Sequence, residues 1–162
     1  MPGGDRMSEE EDVFKLSSIS FKGIDDEEFN FENIKKNINL LVFYDVNSPD
    51  SKKTVKYMEK ISQSYPNWFL SVIGISQNDS DTVKKFVGED NKKFFTVIDE
   101  KSNFAKAFNL KKIPALFLID KSGYVIKSYK GLDEGEINNI SKEIAESLSC
   151  DPVEIKLESK DE

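Results

Sequence analysis

An α/β fold with a central mixed sheet flanked by helices is predicted by three features of this 162-residue chain. Apolar runs of strand length alternate with stretches of helical periodicity, the βαβ rhythm that implies parallel strands joined by right-handed crossovers. One run, Asn39 to Asp45 (NLLVFYD), is almost continuously apolar, which suits a strand buried on both faces near the sheet centre. Late in the chain, ALFLI at 115–119 and YVIKSY at 124–129 flank D-K-S-G, so these strands should be antiparallel neighbours around Gly123.

The first elements are short. Residues 13–16 (VFKL), 19–22 (ISFK) and 28–31 (EFNF) read as strands, the last two forming an N-terminal β-hairpin extension around Gly23 and Asp25-Asp26. After the 39–45 strand, residues 51–65 place Val55, Met58, Ile61 and Tyr65 on one helical face, and Pro66-Asn67 stops the helix. WFLSVIGIS at 68–76 returns as a strand. Ser80 or Asp81 is expected to cap a helix carrying Val83, Phe86 and Val87. FTVI at 95–98 is a strand, followed by a helix with Phe104, Ala105 and Phe108 that Ser102 should cap. Asp133 caps the last helix, where Ile137, Ile140, Ile144 and Leu148 recur at spacings of three and four. Each would contribute about 1.5–3 kcal/mol if fully buried.

The chain is long enough for one domain with one sizeable core. Its expected limits are 13–149, with 1–12 a disordered N-terminal segment and 150–162 a mobile acidic C-terminal tail. A net charge of −7 opposes phosphate backbones and anionic membrane surfaces, so no nucleic acid partner is expected. No apolar run approaches the roughly 20 residues that cross a bilayer, and the first dozen residues lack the apolar core of a secretory signal. As written the chain reads as cytoplasmic; the alternative is extracytoplasmic, if an N-terminal signal or anchor was removed.

The absence of histidine removes Ser-His-Asp and Cys-His catalysis and the commonest zinc sites. Asp-rich stretches lack the spacing of a calcium loop, and no metal or other cofactor is expected. The single cysteine, Cys150, ends the last helix as an ordinary thiol, an intermolecular disulfide being its other use. At the junction of the 39–45 strand and the next helix stands S-P-D-S. Its residues make a good helix start, with Ser48 as N-cap, Pro49 at the first helical position and Asp50 on the positive end of the dipole.

The order of elements and several short motifs resemble the thioredoxin superfamily, specifically its TlpA/ResA-like redoxin branch. The resemblance covers about residues 13–149. LLVFYD matches the family's central strand, and AFNLKKIPALFLIDKSGYVIKSYKG resembles its Y-G-V-x-x-I-P-T-x-F-L-I-D-x-x-G-x-I stretch. The second match is the specific one, combining Ile-Pro, F-L-I-D and a spaced hairpin glycine. The resemblance implies a thioredoxin-like fold, a cis Ile113–Pro114 bond facing the turn, and nearby backbone able to pair with an extended peptide. It also implies that Ser48 and Ser51 occupy the positions of the active-site C-x-x-C.

Two thiols there would matter because a thiolate on the first helical turn is stabilised and attacks a disulfide, while the second thiol resolves the intermediate. A serine hydroxyl is far less acidic and forms no labile bond to sulfur, and here it has no histidine to activate it. Other departures from the family are Asn47 for an aromatic residue, Ala115 for threonine, and Val42 where thioredoxins themselves carry a buried acid. Three functions follow. The chain is redox-inactive and binds a protein or extended peptide in a groove between Ser48–Ser51 and Pro114, lined by Val46, Pro49, Ile113, Pro114 and Ala115. Alternatively, it is a thiol-disulfide oxidoreductase whose two cysteines were changed to serine. In the third reading it is a structural or assembly protein that uses another face, with Lys52-Lys53, Lys84-Lys85 and Lys111-Lys112 as ordinary solvated surface.

Overall fold

The computed structural model describes residues 20–88 and 94–157, so the 13–16 strand, the 1–12 segment and 158–162 of the acidic tail lie outside the described residues. In chain order its elements are β1 (Ser20–Gly23), β2 (Glu28–Asn30), α1 (Phe31–Ile34), β3 (Ile38–Phe43), α2 (Ser51–Ser64), β4 (Leu70–Ser76) and α3 (Ser80–Val87). They continue with β5 (Phe95–Ile98), α4 (Asn103–Ala107), β6 (Ala115–Asp120), β7 (Val125–Tyr129) and α5 (Glu134–Leu148). The seven strands form one mixed sheet in the order β2-β1-β5-β4-β3-β6-β7.

β3, β4 and β5 run parallel, while β6 and β7 are antiparallel additions on the β3 side. Every residue of β3 and β4 is buried, because both strands have neighbours on either edge and helices over either face. β4 is the middle strand of the seven and β3 lies beside it. The one polar side chain inside β3, Asn39, is fully satisfied: its amide donates to the carbonyls of Lys36 and Ile119 and accepts from the Lys36 N–H.

Alternation along the strands builds two cores. Leu40, Val42, Leu116 and Leu118 meet Val55, Met58 and Ile61 of α2, Val83 and Val87 of α3, and Ile137, Ile140 and Ile144 of α5. On the opposite face Leu41, Phe43, Ile73, Ile75 and Val97 meet Phe31 of α1, Phe104 of α4 and Phe108 just after it. The predicted DKSG hairpin is present, Gly123 adopting φ 93° with its N–H on the Asp120 carbonyl.

Several expectations need correction. The 28–31 strand stops at Asn30, since burying Phe31 under the sheet starts a short helix there. The N-terminal hairpin is present as expected, and β1 joins it to the main sheet through antiparallel pairing with β5. β4 begins at Leu70 and not at Trp68; a turn closed by Phe69 N–H on the Pro66 carbonyl leaves Trp68 83% exposed. Asp79, rather than Ser80 or Asp81, caps α3 through the Thr82 N–H. Ser102 makes no side-chain cap to α4 because Asp99 already accepts from the N–H groups of Phe104 and Ala105. Asp133 caps α5 as expected, through Glu136 N–H.

The mobile tail is the largest correction. Residues 151–157 are strapped across α5: Ile155 is 2% exposed and exchanges two hydrogen bonds with the Asn138 side chain. Val153 donates its N–H to the Tyr65 hydroxyl and accepts from Ser141 Oγ. Val153, Ile155 and Leu157 alternate with polar residues here, the available signal, but three apolar residues in an acidic stretch are too short a run to be read as an anchored segment.

Candidate functional site

The parallel strands end together, and the loops that follow them build one end of the molecule. In an open α/β sheet this is where ligands bind. After Phe43 the chain passes through two turns before α2, with the Ser48 N–H on the Asp45 carbonyl and the Ser51 N–H on the Ser48 carbonyl. Pairing of Phe43 with Ala115 brings the start of β6, and with it Ile113–Pro114, to the same end. The Ile113–Pro114 bond is cis.

Ser51 is 5% exposed and its hydroxyl donates inward to the Val46 carbonyl at 3.1 Å. Ser48 and Val46 are half-buried, and Pro49 is exposed. Across from them Ile113 is 37% exposed, Pro114 is half-buried and Ala115 is buried. The sequence-based helix start is displaced: Asp50, not Ser48, is the N-cap, and it makes no side-chain cap bond. Two successive turns consume Ser48 and Pro49 before the helical ladder can begin, and Thr54 closes that ladder on the Asp50 carbonyl.

Sequence reasoning missed Asn78. Its Oδ1 accepts from the Val46 N–H at 3.1 Å and from Ser76 Oγ at 2.6 Å, while its Nδ2 donates to Asp45 Oδ1 at 3.3 Å. Asp45 also holds the Asn47 N–H. A half-buried amide thus ties the loop after β3 to the end of β4. An asparagine just beyond a strand, in SVIGIS-QN, was the available signal, and it reads equally well as an ordinary turn residue.

No imidazole exists in the chain, and the Ser51 hydroxyl is already committed as a donor. Tyr44, just past β3, is 2% exposed, and burial pushes its phenol well above the ordinary range, so it stays protonated. Cys150 is exposed and follows α5, which starts at this end and runs away from it, as does α2, so the thiol sits at the opposite end of the sheet. Among the described residues no three His, Cys, Asp or Glu side chains gather as an ion site, and no helix is long and apolar enough to cross a membrane.

Asp99, at the end of β5, is 5% exposed, and burial raises its pKa although the Phe104 and Ala105 N–H groups pull it down. A carboxyl that binds its proton more tightly when folded adds stability at low pH, and that stability is lost as pH rises through the folded-state pKa. The stability of the wild-type chain relative to Asp99→Asn is therefore expected to fall between pH 4 and pH 7 in urea denaturation. A difference that grows with pH would contradict this.

The family model described as AhpC/TSA family matches residues 14–128, well over half the chain. The chain belongs to the AhpC/TSA family. Within the thioredoxin superfamily it stands with the TlpA/ResA-like redoxins. It is 32% identical over 81 residues to the thiol-disulfide oxidoreductase ResA of Bacillus thuringiensis subsp. konkukian, covering 49% of this chain and 47% of that protein. The ResA of Halalkalibacterium halodurans is 27% identical over 92 residues, covering 56% and 52%. The matches thus span about half the length of these relatives.

Solved structures extend the likeness in fold. One of MTB dsbF in mixed oxidized and reduced forms has a TM-score of 0.70 at 18% identity, covering 82% of this chain and 96% of that one. A thioredoxin-like protein from Aeropyrum pernix gives 0.67 at 20% identity, covering 88% and 98%. This redoxin keeps the scaffold, with Ser48 and Ser51 in the turn between β3 and α2 and its single cysteine, Cys150, beyond α5.

Proposed function

We propose that this redoxin binds an extended segment of a protein partner at the Ser48–Ser51/Pro114 groove and carries out no thiol-disulfide exchange as written. The observation that carries the reading is the state of the strip before β6. The backbone of Lys111, Lys112 and Ile113 makes no hydrogen bond among the described residues, and Ile113 is one of the few large apolar side chains left exposed. Open N–H and C=O groups beside an apolar side chain are what strand addition uses, the backbone giving affinity and alternate side chains giving specificity. A single cysteine makes no demand on an oxidising compartment, so the chain as written would work in the cytoplasm.

A capped peptide of alternating valine and threonine, titrated into the ¹⁵N-labelled protein, is expected to move the amides of 46–51 and 111–115 saturably. Ile113→Asp should weaken that binding about tenfold, the loss of one apolar anchor from an interface. Shifts confined to another face, or none at millimolar peptide, would overturn the groove.

The second reading, an oxidoreductase with serines substituted for its cysteines, is favoured by the retained cis-proline and by the relatives named as thiol-disulfide oxidoreductases. It predicts turnover once both cysteines are restored.

A further inference from the structure

Residues 151–157 lie along α5 without belonging to any helix or strand, and among the described residues their backbone makes no hydrogen bond to other backbone. Side chains hold them instead. The Asn138 carboxamide reads both backbone groups of Ile155, accepting its N–H on Oδ1 at 2.7 Å and donating from Nδ2 to its carbonyl at 2.9 Å. Two residues earlier, the Tyr65 hydroxyl accepts the Val153 N–H at 2.9 Å and Ser141 Oγ donates to the Val153 carbonyl at 2.6 Å. All four bonds go to main-chain atoms of the strap at alternate residues, the spacing at which an extended segment presents one face.

Only Ile155 anchors the strap by its side chain. It is buried in the core that also holds Tyr65, Ile137 and Ile140, and Leu157 packs there in part, while Asp151, Pro152, Val153, Glu154 and Lys156 are exposed. A cleft of about 420 Å³ stays open beside it, with the carboxylates of Glu134 and Glu154 matched in its lining by the ammonium groups of Lys142 and Lys156. Charge therefore selects no occupant. The turn into the strap, residues 149–152, is exposed throughout, so no described element has to move when the strap lifts.

We propose that residues 151–157 are a displaceable internal ligand, and that the seat formed by Tyr65, Asn138 and Ser141 takes an extended segment of another protein with a β-branched apolar residue at the Ile155 position. Backbone bonds of this kind form with any sequence that keeps an N–H at the two donating positions, and the apolar anchor supplies the selection. A segment with few buried apolar contacts and solvent-exposed hydrogen bonds opens without global unfolding. The strap then competes at the high effective concentration that a short tether gives, which sets a threshold for the partner. Exchange of straps between two copies forms no bond that the monomer lacks and costs freedom of motion, so the segment comes from elsewhere. This seat shares no residue with the Ser48–Ser51/Pro114 groove, and the two sites are tested independently.

Hydrogen exchange of the wild-type chain reads the opening. The Val153 and Ile155 amides are expected to exchange about tenfold or more faster than those of Ile140 and Ile144 inside α5. Equal rates would overturn a strap that opens on its own. A capped peptide of residues 151–157, titrated into the ¹⁵N-labelled full-length Ile155→Asp variant, reads the seat; Ile155→Ala, which buries no charge, replaces that variant if it does not fold. The peptide should move the amides of 65, 138 and 141 saturably, and bind the wild-type chain about tenfold more weakly because the strap competes. Aspartate in place of the peptide's isoleucine should cost about tenfold on the variant, the loss of one apolar anchor. No shifts at those amides, or equal affinity for wild type and variant, would overturn the seat. A wild-type dimer that Ile155→Asp abolishes would overturn the external occupant in favour of a second copy's strap.

Discussion

Phe43→Ala is expected to lower folding stability by about 3–5 kcal/mol, read as a shift in the urea midpoint at unchanged slope. Phe43 is 1% exposed, and its ring stands 5.5 Å from Phe108 and 5.8 Å from Phe117, whose rings are 4.6 Å apart. Truncation leaves a hole that three elements line, and two of them, β3 and β6, are held in register by the strands they pair with. Close packing between fixed elements limits collapse into such a hole. Because Phe43 is the last residue of β3 and pairs with Ala115, the loss should also loosen the two segments that frame the groove. A loss below about 1 kcal/mol would mean that the aromatic cluster repacks, and that the groove is less firmly founded than its register implies.

Asn78→Ala should cost about 1–3 kcal/mol and act locally. It removes the acceptor for the Val46 N–H and for the Ser76 hydroxyl, the latter on a residue 1% exposed, and frees the Asp45 carboxylate from one donor. A buried donor left without a partner carries its desolvation cost with no return. Hydrogen exchange should accelerate at the amides of 46–51 while amides in β4 and α2 keep their protection, since local opening need not follow global stability. Uniform acceleration across the sheet would show that Asn78 supports the fold as a whole and not the loop.

The sheet was legible because its strands are apolar runs of the right length, bounded by turns. NLLVFYD needed no tertiary information to be placed inside a sheet, and Gly123 marked its own hairpin. Boundaries were less legible where one residue could serve two elements. Phe31 suits a strand by type, yet its burial under the sheet is what ends β2. Caps were misread for a similar reason: in D-S-D and in D-E-K-S several short polar residues compete, and only geometry shows that Asp79 and Asp99 reach the open N–H groups.

At the site, the motif resemblance pointed to Ser48, Ser51 and Pro114 as candidates, but it could not supply the inward bond from Ser51 or the Asn78 tie. Long-range hydrogen bonds leave no local pattern.

The central claim is that the groove has left redox chemistry behind, and the double variant Ser48→Cys/Ser51→Cys tests it most directly, titrated against glutathione and assayed with a disulfide substrate. β3 itself carries no carboxylate, Val42 being fully buried, and the Asp45 side chain already accepts from the Asn47 N–H and the Asn78 amide. The account predicts a folded variant whose turnover stays at background. A defined reduction potential with sustained turnover would contradict it, and would make the chain a thiol-disulfide oxidoreductase lacking only its sulfur.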